Sequence, residues 1–377
     1  MDETLTLEEA KLLIGHCRAG RLYEVERWIA SGKSIQPPPP SRKLPKTPLQ
    51  VAIQTGFHSL VELLVRNEAS QEIKNRALSE AVSTKRLDLV QLLVEHGAAI
   101  RAVPLVDALR TSKLEIMRYF LESGADAITD HPFEDAFREE VWISWQAFTR
   151  YKKAHPELAS ELQKQTDCAL RYFASEGNLK WGRLLMVAGA NPRSSGPVLS
   201  DDDDPECYTT ALKEACNAGN LDLLKKMKPD PVNDNLTELL QASFLSASAD
   251  VIRYLVELGV NPNDLPNGGS SILDQSLRHL DLHAQRDEMR RDLIPKYLIG
   301  HGLDCIQALV ESGALWRPEE RKNLIWVRRS LMKFDPEVTV SILKLFSRHK
   351  TASLETMEQL LDSPQMKSHM SGLGIKL

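Results

Sequence analysis

Cysteine is scarce in this chain and poorly placed for cross-linking. Five occur in 377 residues: Cys17, Cys168, Cys207, Cys216 and Cys305. The number is odd, the spacing is wide and no Cys-x-x-Cys pair occurs, which argues against a disulfide framework. Cys17, Cys168, Cys216 and Cys305 fall inside predicted helices, where a free thiol serves as a small apolar group. A reducing, cytoplasmic setting is expected. Long hydrophobic runs are missing too, since no stretch approaches the roughly 20 apolar residues of a membrane span. The start, Met1-Asp2-Glu3-Thr4, is acidic and lacks a basic-then-apolar leader, so no secretory signal is expected. Neither sign of charge dominates. The 47 Lys and Arg against 52 Asp and Glu give a formal net charge of -5, and no global attraction for nucleic acid. No glycine-rich phosphate loop, nucleophile elbow or metal quartet is found, so no catalysis, cofactor or resident metal is expected.

What the chain does contain is a short amphipathic unit used repeatedly. Leu60-Val61-Glu62-Leu63-Leu64-Val65, Leu89-Val90-Gln91-Leu92-Leu93-Val94, Ile116-Met117-Arg118-Tyr119-Phe120-Leu121 and Val251-Ile252-Arg253-Tyr254-Leu255-Val256 share one order. Two apolar residues, one polar residue and two or three more apolar ones put a single wide apolar stripe on a helix. Three of the four stop at a small residue pair, His96-Gly97-Ala98, Ser123-Gly124-Ala125 and Leu258-Gly259-Val260. Glycine past a helix end adopts the left-handed conformation cheaply. Upstream lies a second helix signal. Thr47-Pro48-Leu49-Gln50-Val51-Ala52 opens with proline in the first turn, where its missing N–H is harmless. Val103-Pro104-Leu105-Val106-Asp107-Ala108 repeats it, and Ala77-Leu78-Ser79-Glu80-Ala81 and Ala211-Leu212-Lys213-Glu214-Ala215 keep the leucine and alanine.

With both halves recurring in order, the chain resembles the ankyrin repeats, whose signature opens Thr-Pro-Leu-His-x-Ala and ends Gly-Ala-Asp/Asn. Thr47 to Ala52 is nearest to the opening; Gly124-Ala125-Asp126 and Gly189-Ala190-Asn191-Pro192 are nearest to the ending. The resemblance implies an all-α fold, an ankyrin-like solenoid of stacked helix-turn-helix repeats. Asp88 and Glu115 hold equivalent places 27 residues apart, and Ser59 and Asp88 are 29 apart, against a family period of about 33. The helices look complete, so the loops that project as fingers are expected to be short.

Taken in order, residues 1–36 read as an amino-terminal capping helix pair, which a stack needs because its end meets no further repeat. Residues 37–126 carry repeats two to four. They begin with Pro37-Pro38-Pro39-Pro40, taken as a stiff loop between repeats rather than a ligand for a proline-binding module. Residues 127–166 break the pattern and form an aromatic-rich helical insertion. Phe133, Phe137, Val141, Trp145 and Phe148 follow three or four apart on one stripe, Trp142 lies to its side as the more exposed ring, and His155-Pro156-Glu157 starts another helix to about Lys164. Residues 167–315 hold repeats five to eight with insertions. One insertion carries Asp201, Asp202, Asp203 and Asp204, an acidic run suited to a basic partner rather than to a cation. Another holds His279 and His283 one helical turn apart, read as a solvated face rather than zinc ligands. Residues 316–377 give carboxy-terminal capping helices and a tail. From Arg317 to Lys350 there are nine Lys or Arg and four Asp or Glu.

Ankyrin-like stacks present their first helices on a concave face. Aligned on the hairpin turns, the resemblance places Gln54, Ser83, Arg110, Ser175, Glu176 and Asn217 on the exposed side of that face. With Trp142 and Asp201 to Asp204 they are the candidate partner-binding residues. The expected function is a non-enzymatic protein-protein interaction module, monomeric by itself, with no membrane partner. Three alternatives stay open: a dedicated inhibitor or immunity-type protein of one enzyme, nucleic-acid binding through Arg317–Lys350 without a supporting motif, and an enzyme with an unrecognised site.

Overall fold

Each hairpin begins with a helix that has to reverse within two to six residues. The computed structural model describes residues 5–36, 46–68, 70–199, 208–244, 246, 248–264, 271–277, 296–316, 327–328, 331, 336–362, 364, 366–367 and 371. Among them seven of the reversals contain one residue with positive φ. Glycine supplies it at Gly20 (65°), Gly56 (75°), Gly177 (69°) and Gly219 (67°), while Lys85 (60°), Ser112 (57°) and Glu140 (56°) supply it without glycine's freedom. Helix starts are fixed by side chains. Thr6 and Glu9 form a capping box, as do Thr47 and Gln50 ahead of Pro48.

The structure falls into two units, residues 1–169 and 170–377. In the first, five hairpins follow one another: α1 (Leu7–Arg18) with α2 (Leu22–Ala30), α3 (Pro48–Thr55) with α4 (His58–Asn67), α5 (Gln71–Ser83) with α6 (Leu87–Glu95), α7 (Leu105–Arg110) with α8 (Leu114–Glu122), and α9 (Pro132–Arg138) with α10 (Ser144–Ala154). First helices pack on first helices, α1 on α3, α5, α7 and α9 in turn, and second helices pack on second helices from α2 to α10. The core is the seam between the two rows, where Leu13, Cys17, Ala52, Leu64, Leu78, Leu93, Leu109 and Phe120 are buried.

The stretch expected as an insertion therefore continues both rows. It is not one helix with an unbroken stripe. A turn at Glu139-Glu140, with Glu140 at positive φ, folds it into a hairpin, and Val141 and Trp145 end only half-buried. Phe133, Phe137 and Phe148 are fully buried, with ring centroids 5.1 and 5.4 Å apart for the two edge-on pairs. The helix expected from His155 to about Lys164 begins as a short 3-10 turn, Pro156–Leu158, and runs on as α11 (Ala159–Ser175).

In the second unit the carboxy-terminal part of α11 is followed by α12 (Leu179–Val187), then by α13 (Ala211–Asn217) with α14 (Leu221–Met227), and α15 (Leu236–Ala242) with α16 (Ala249–Glu257). α13 packs on α15, α12 on α14, α14 on α16, and α16 on the helix Lys296–Glu311, which packs on Pro336–His349. The degenerate ending Lys225 to Pro229 still turns left-handed, with Lys228 (φ 54°) in the place of glycine. Among the described residues the one β-bridge pairs Gly196 with Thr209. The proline run, His279, His283 and Leu324 to Trp326 lie outside the described residues. No described helix is long and apolar enough to cross a membrane.

The hairpins are stitched at both ends. At the hairpin turns the next repeat reaches back: Arg86 Nη1 donates to the Gly56 carbonyl at 3.5 Å, Asn220 Nδ2 to Gly177 at 2.7 Å and Ser246 Oγ to Cys216 at 3.0 Å. At the opposite end side chains from the start of a hairpin, or from the loop before it, reach the turn after a later helix. Gln71 donates to the Gly97 carbonyl at 2.8 Å, Arg101 to Gly124 at 3.0 Å, Arg193 to Lys228 at 3.0 Å and Asn263 to Gly313 at 3.0 Å.

Two stability outcomes are expected. Ser112→Gly and Lys85→Gly should each stabilise by about 0.5–1 kcal/mol. Relief of the left-handed cost, roughly 1–2 kcal/mol, exceeds the entropy that glycine adds to the unfolded chain, roughly 0.4–1 kcal/mol. A higher urea midpoint at unchanged slope is the check. Phe133→Ala should cost about 3–5 kcal/mol, read from the same denaturation, because its ring is fully buried between Phe137 and Phe148.

Candidate partner-binding face

The candidate residues lie on the last turns of first helices or in the turns that follow. Gln54, Ser83 and Arg110 close α3, α5 and α7 and are exposed. Stacking those helices brings the last turns into one row, and the row is laterally bonded. Gln54 Nε2 donates to Glu80 of α5, which also receives Lys46 Nζ at 3.4 Å. Arg110 presents its fork to Glu139 beyond α9, with Nε 2.8 and 3.0 Å from the two carboxylate oxygens, and its Nη1 is 3.3 Å from Asp107. The geometry is bidentate, so the guanidinium is held in one orientation while remaining half exposed.

Ser83 and Ser175 are turned inward chemically. Their hydroxyls donate to carbonyls of their own helices, Ser79 at 3.0 Å and Tyr172 at 2.8 Å. Glu176 is exposed beside the turn at Gly177. Asn217 is half-buried at the end of α13. Its Nδ2 donates to Glu214 at 3.1 Å, and its Oδ1 is buried with no hydrogen-bond partner. Trp142, in the α9–α10 turn, keeps 48% of its surface exposed. Asp201, Asp202, Asp203 and Asp204 lie outside the described residues. The structure thus brings Gln54 and Arg110 into paired, exposed positions and ties the two serines to their own helices.

Sequence alignment on turns misses the carboxylates that hold this row. Glu80 and Glu139 sit 26 and 29 residues beyond their partners. In the second unit Lys213 Nζ meets Glu238 at 2.9 Å, 25 residues on, and Gln241 meets Gln275 at 3.2 Å, 34 residues on. An opposite-sign pair spaced by one local period is the signal that finds the charged cases. The cysteines Cys17, Cys168, Cys216 and Cys305 are buried and free. Burial pushes the thiols of Cys17, Cys216 and Cys305 up to about 12, so they remain protonated and act as apolar fillers.

Hydrogen bonds from Arg110, aided by its charge, hold the Glu139 carboxyl below the usual range. A carboxyl depressed in the folded state contributes stability that is present above its unfolded pKa of about 4.3 and lost as pH falls through the folded value. Both side chains are close to half exposed, so solvent limits the pair to about 1 kcal/mol at most. Glu139→Gln should lower stability at neutral pH by up to that amount. Denaturation midpoints of parent and variant should converge along the acid limb.

The family model of ankyrin repeats matches residues 13–103, in three copies. No curated protein sequence matches the chain. Among solved structures, the chain is similar to the human ASB11 ankyrin repeat domain at 16% identity and a TM-score of 0.28, over 81% of this chain and 99% of that one. It is also similar to the ankyrin repeat domain of Bcl-3, described as a unique member of the IkappaB protein family. There the identity is 18% and the TM-score 0.32, over 69% of this chain and 91% of that one.

Proposed function

We propose that the chain is a non-enzymatic binding module that docks a partner protein along the exposed last turns of its first helices. Ankyrin repeats are in general protein-protein interaction modules. The observation that carries the reading is the Arg110–Glu139 fork beside the Gln54–Glu80 pair. Gln54, Arg110 and Glu139 are exposed, Glu80 is partly buried, and each is fixed by a neighbour on a stacked helix or the turn after it. A surface whose side chains are already ordered loses little entropy when a partner settles on it. Trp142, large and half exposed near the α9–α10 turn, supplies an apolar anchor beside the charged row. Arg110 and Lys46 are the cations of the row and Glu80, Glu139 and Asp107 its acids, so the partner would present alternating charge rather than one sign.

Deleting 133–153 would remove α9 and most of α10 and strip the cover from α7 and α8, so surface substitutions are the cleaner test. Affinity capture is run with the intact chain, with Arg110→Glu and with Trp142→Ser, each checked for parental helicity by circular dichroism. The partner retained by the parent should fall by about tenfold or more with Arg110→Glu, the scale of one lost interface anchor. Equal recovery by all three chains would remove this face from the binding surface.

A further inference from the structure

The isolated bridge in the second unit has two edges, and they differ. Gly196 and Thr209 exchange both main-chain hydrogen bonds, at 3.0 and 2.8 Å. In an antiparallel pair the flanking residues then point their N–H and C=O groups outward, away from the partner strand. On the Gly196 side that outer edge is closed at Pro197 only, since the Ser195 N–H and C=O take part in no hydrogen bond among the described residues. Arg171, buried on α11, donates from Nε to the Pro197 carbonyl at 2.6 Å and from Nη1 to the Ser194 carbonyl at 3.2 Å. On the Thr209 side it is open. The Tyr208 N–H and C=O and the Thr210 N–H take part in no hydrogen bond among the described residues. Residues 208–210 form one wall of a cleft of about 300 Å³, whose other wall is the turn at 233–235.

We infer that this open edge takes an extended peptide segment of a partner protein as an added strand, with one small, uncharged polar side chain directed into the cleft. An unpaired strand edge is a template for another chain, and main-chain pairing gives the affinity while the pocket chooses the side chain. The cleft's own charges set that choice. Arg193 is paired with Asp234 at 2.8 Å and Lys213 with Glu238 at 2.9 Å, so the lining has no net charge to offer. A charged side chain entering there would be desolvated without a free counter-ion. The Ser195 hydroxyl is unspent, and Tyr208, 47% exposed, can cover the incoming strand. The inference is independent of the first-helix row of the other unit.

A phage-displayed library of random octapeptides, panned on the intact chain, tests it. Tyr208→Pro removes the outward N–H without touching the Gly196–Thr209 bonds, and Tyr208→Ala removes the ring but keeps the main chain. Enriched peptides should bind Tyr208→Pro at least about tenfold more weakly while changing no more than about threefold on Tyr208→Ala. N-methylation of the peptide's central amides should abolish binding, and amide exchange at Tyr208 and Thr210 should slow in the complex. Tyr208→Pro must keep the parental thermal midpoint; if it does not, the N-methylated peptides and the exchange rates decide the matter on the parent chain. Failure to enrich any peptide over the Tyr208→Pro chain would overturn the inference. So would equal losses with both variants, or a dimer of the intact chain that Tyr208→Pro dissolves. Arg110→Glu should leave peptide binding unchanged, so this inference and the proposed face fail separately.

Discussion

A helix that ends leaves carbonyl groups without partners, and in this protein every hairpin ends twice. The fold depends on how those ends are closed. At most hairpin turns a residue of positive φ reverses the chain. A side chain from another turn, from the start of a hairpin or from the loop before it donates to a carbonyl there. Arg86 and Asn220 do so backward at Gly56 and Gly177; Gln71, Arg101, Arg193 and Asn263 do so forward at Gly97, Gly124, Lys228 and Gly313. Arg86 and Asn220 each join one turn to the turn before it, so part of the stability belongs to neighbours in contact rather than to the single unit. Two of the positive-φ glycines also sit close to a neighbouring side chain. A β-carbon at Gly56 would lie 2.7 Å from the Arg86 guanidinium, and one at Gly20 would overlap the Phe57 ring.

Register follows from this closure, and the surface follows from register. Because turns are locked to turns, the last residues of successive first helices come level with one another, and long polar side chains can span from one to the next. Gln54 reaches Glu80 and Arg110 reaches Glu139 by that route. Each pair adds little stability while exposed. Its consequence is order: a guanidinium held by two oxygens presents its remaining donors in one direction. Polar residues that instead bond to their own helix, as Ser83 and Ser175 do, lose that role although they occupy comparable places.

Much of the architecture was legible in the sequence because two of its determinants are local. The amphipathic stripes of α4, α6, α8 and α16 and the left-handed glycines after them are read from a dozen residues each. The pair α9–α10 was read as an insertion for an equally physical reason. Its turn uses Glu140 where glycine marks other hairpins, and its aromatic residues keep helical spacing straight through the reversal. An L-residue forced left-handed carries no signature in composition; only the demand of the rows on either side selects it. The lateral pairs were illegible for the opposite reason. They join residues 25 to 29 apart whose proximity exists only after stacking.

Short connections also change what is left for recognition. Where a connection runs to eight or nine residues, as between α14 and α15 or α6 and α7, several of its polar groups are spent on stitching. The loop between α12 and α13 escapes this economy. It is long enough to turn back on itself, and it is pinned at its base by Arg171 and by the hydrogen bond from Thr209 to Glu214 at 2.7 Å. Pinning both limbs at the base fixes the direction in which residues 208–210 face, and among the described residues nothing hydrogen-bonds to the Tyr208 main chain. The turn at 230–235 folds on itself, with the Asp230 N–H donating to Asp234 at 2.7 Å. The cleft therefore lies between two loops of unequal length, the longer offering main chain and the shorter having spent its own.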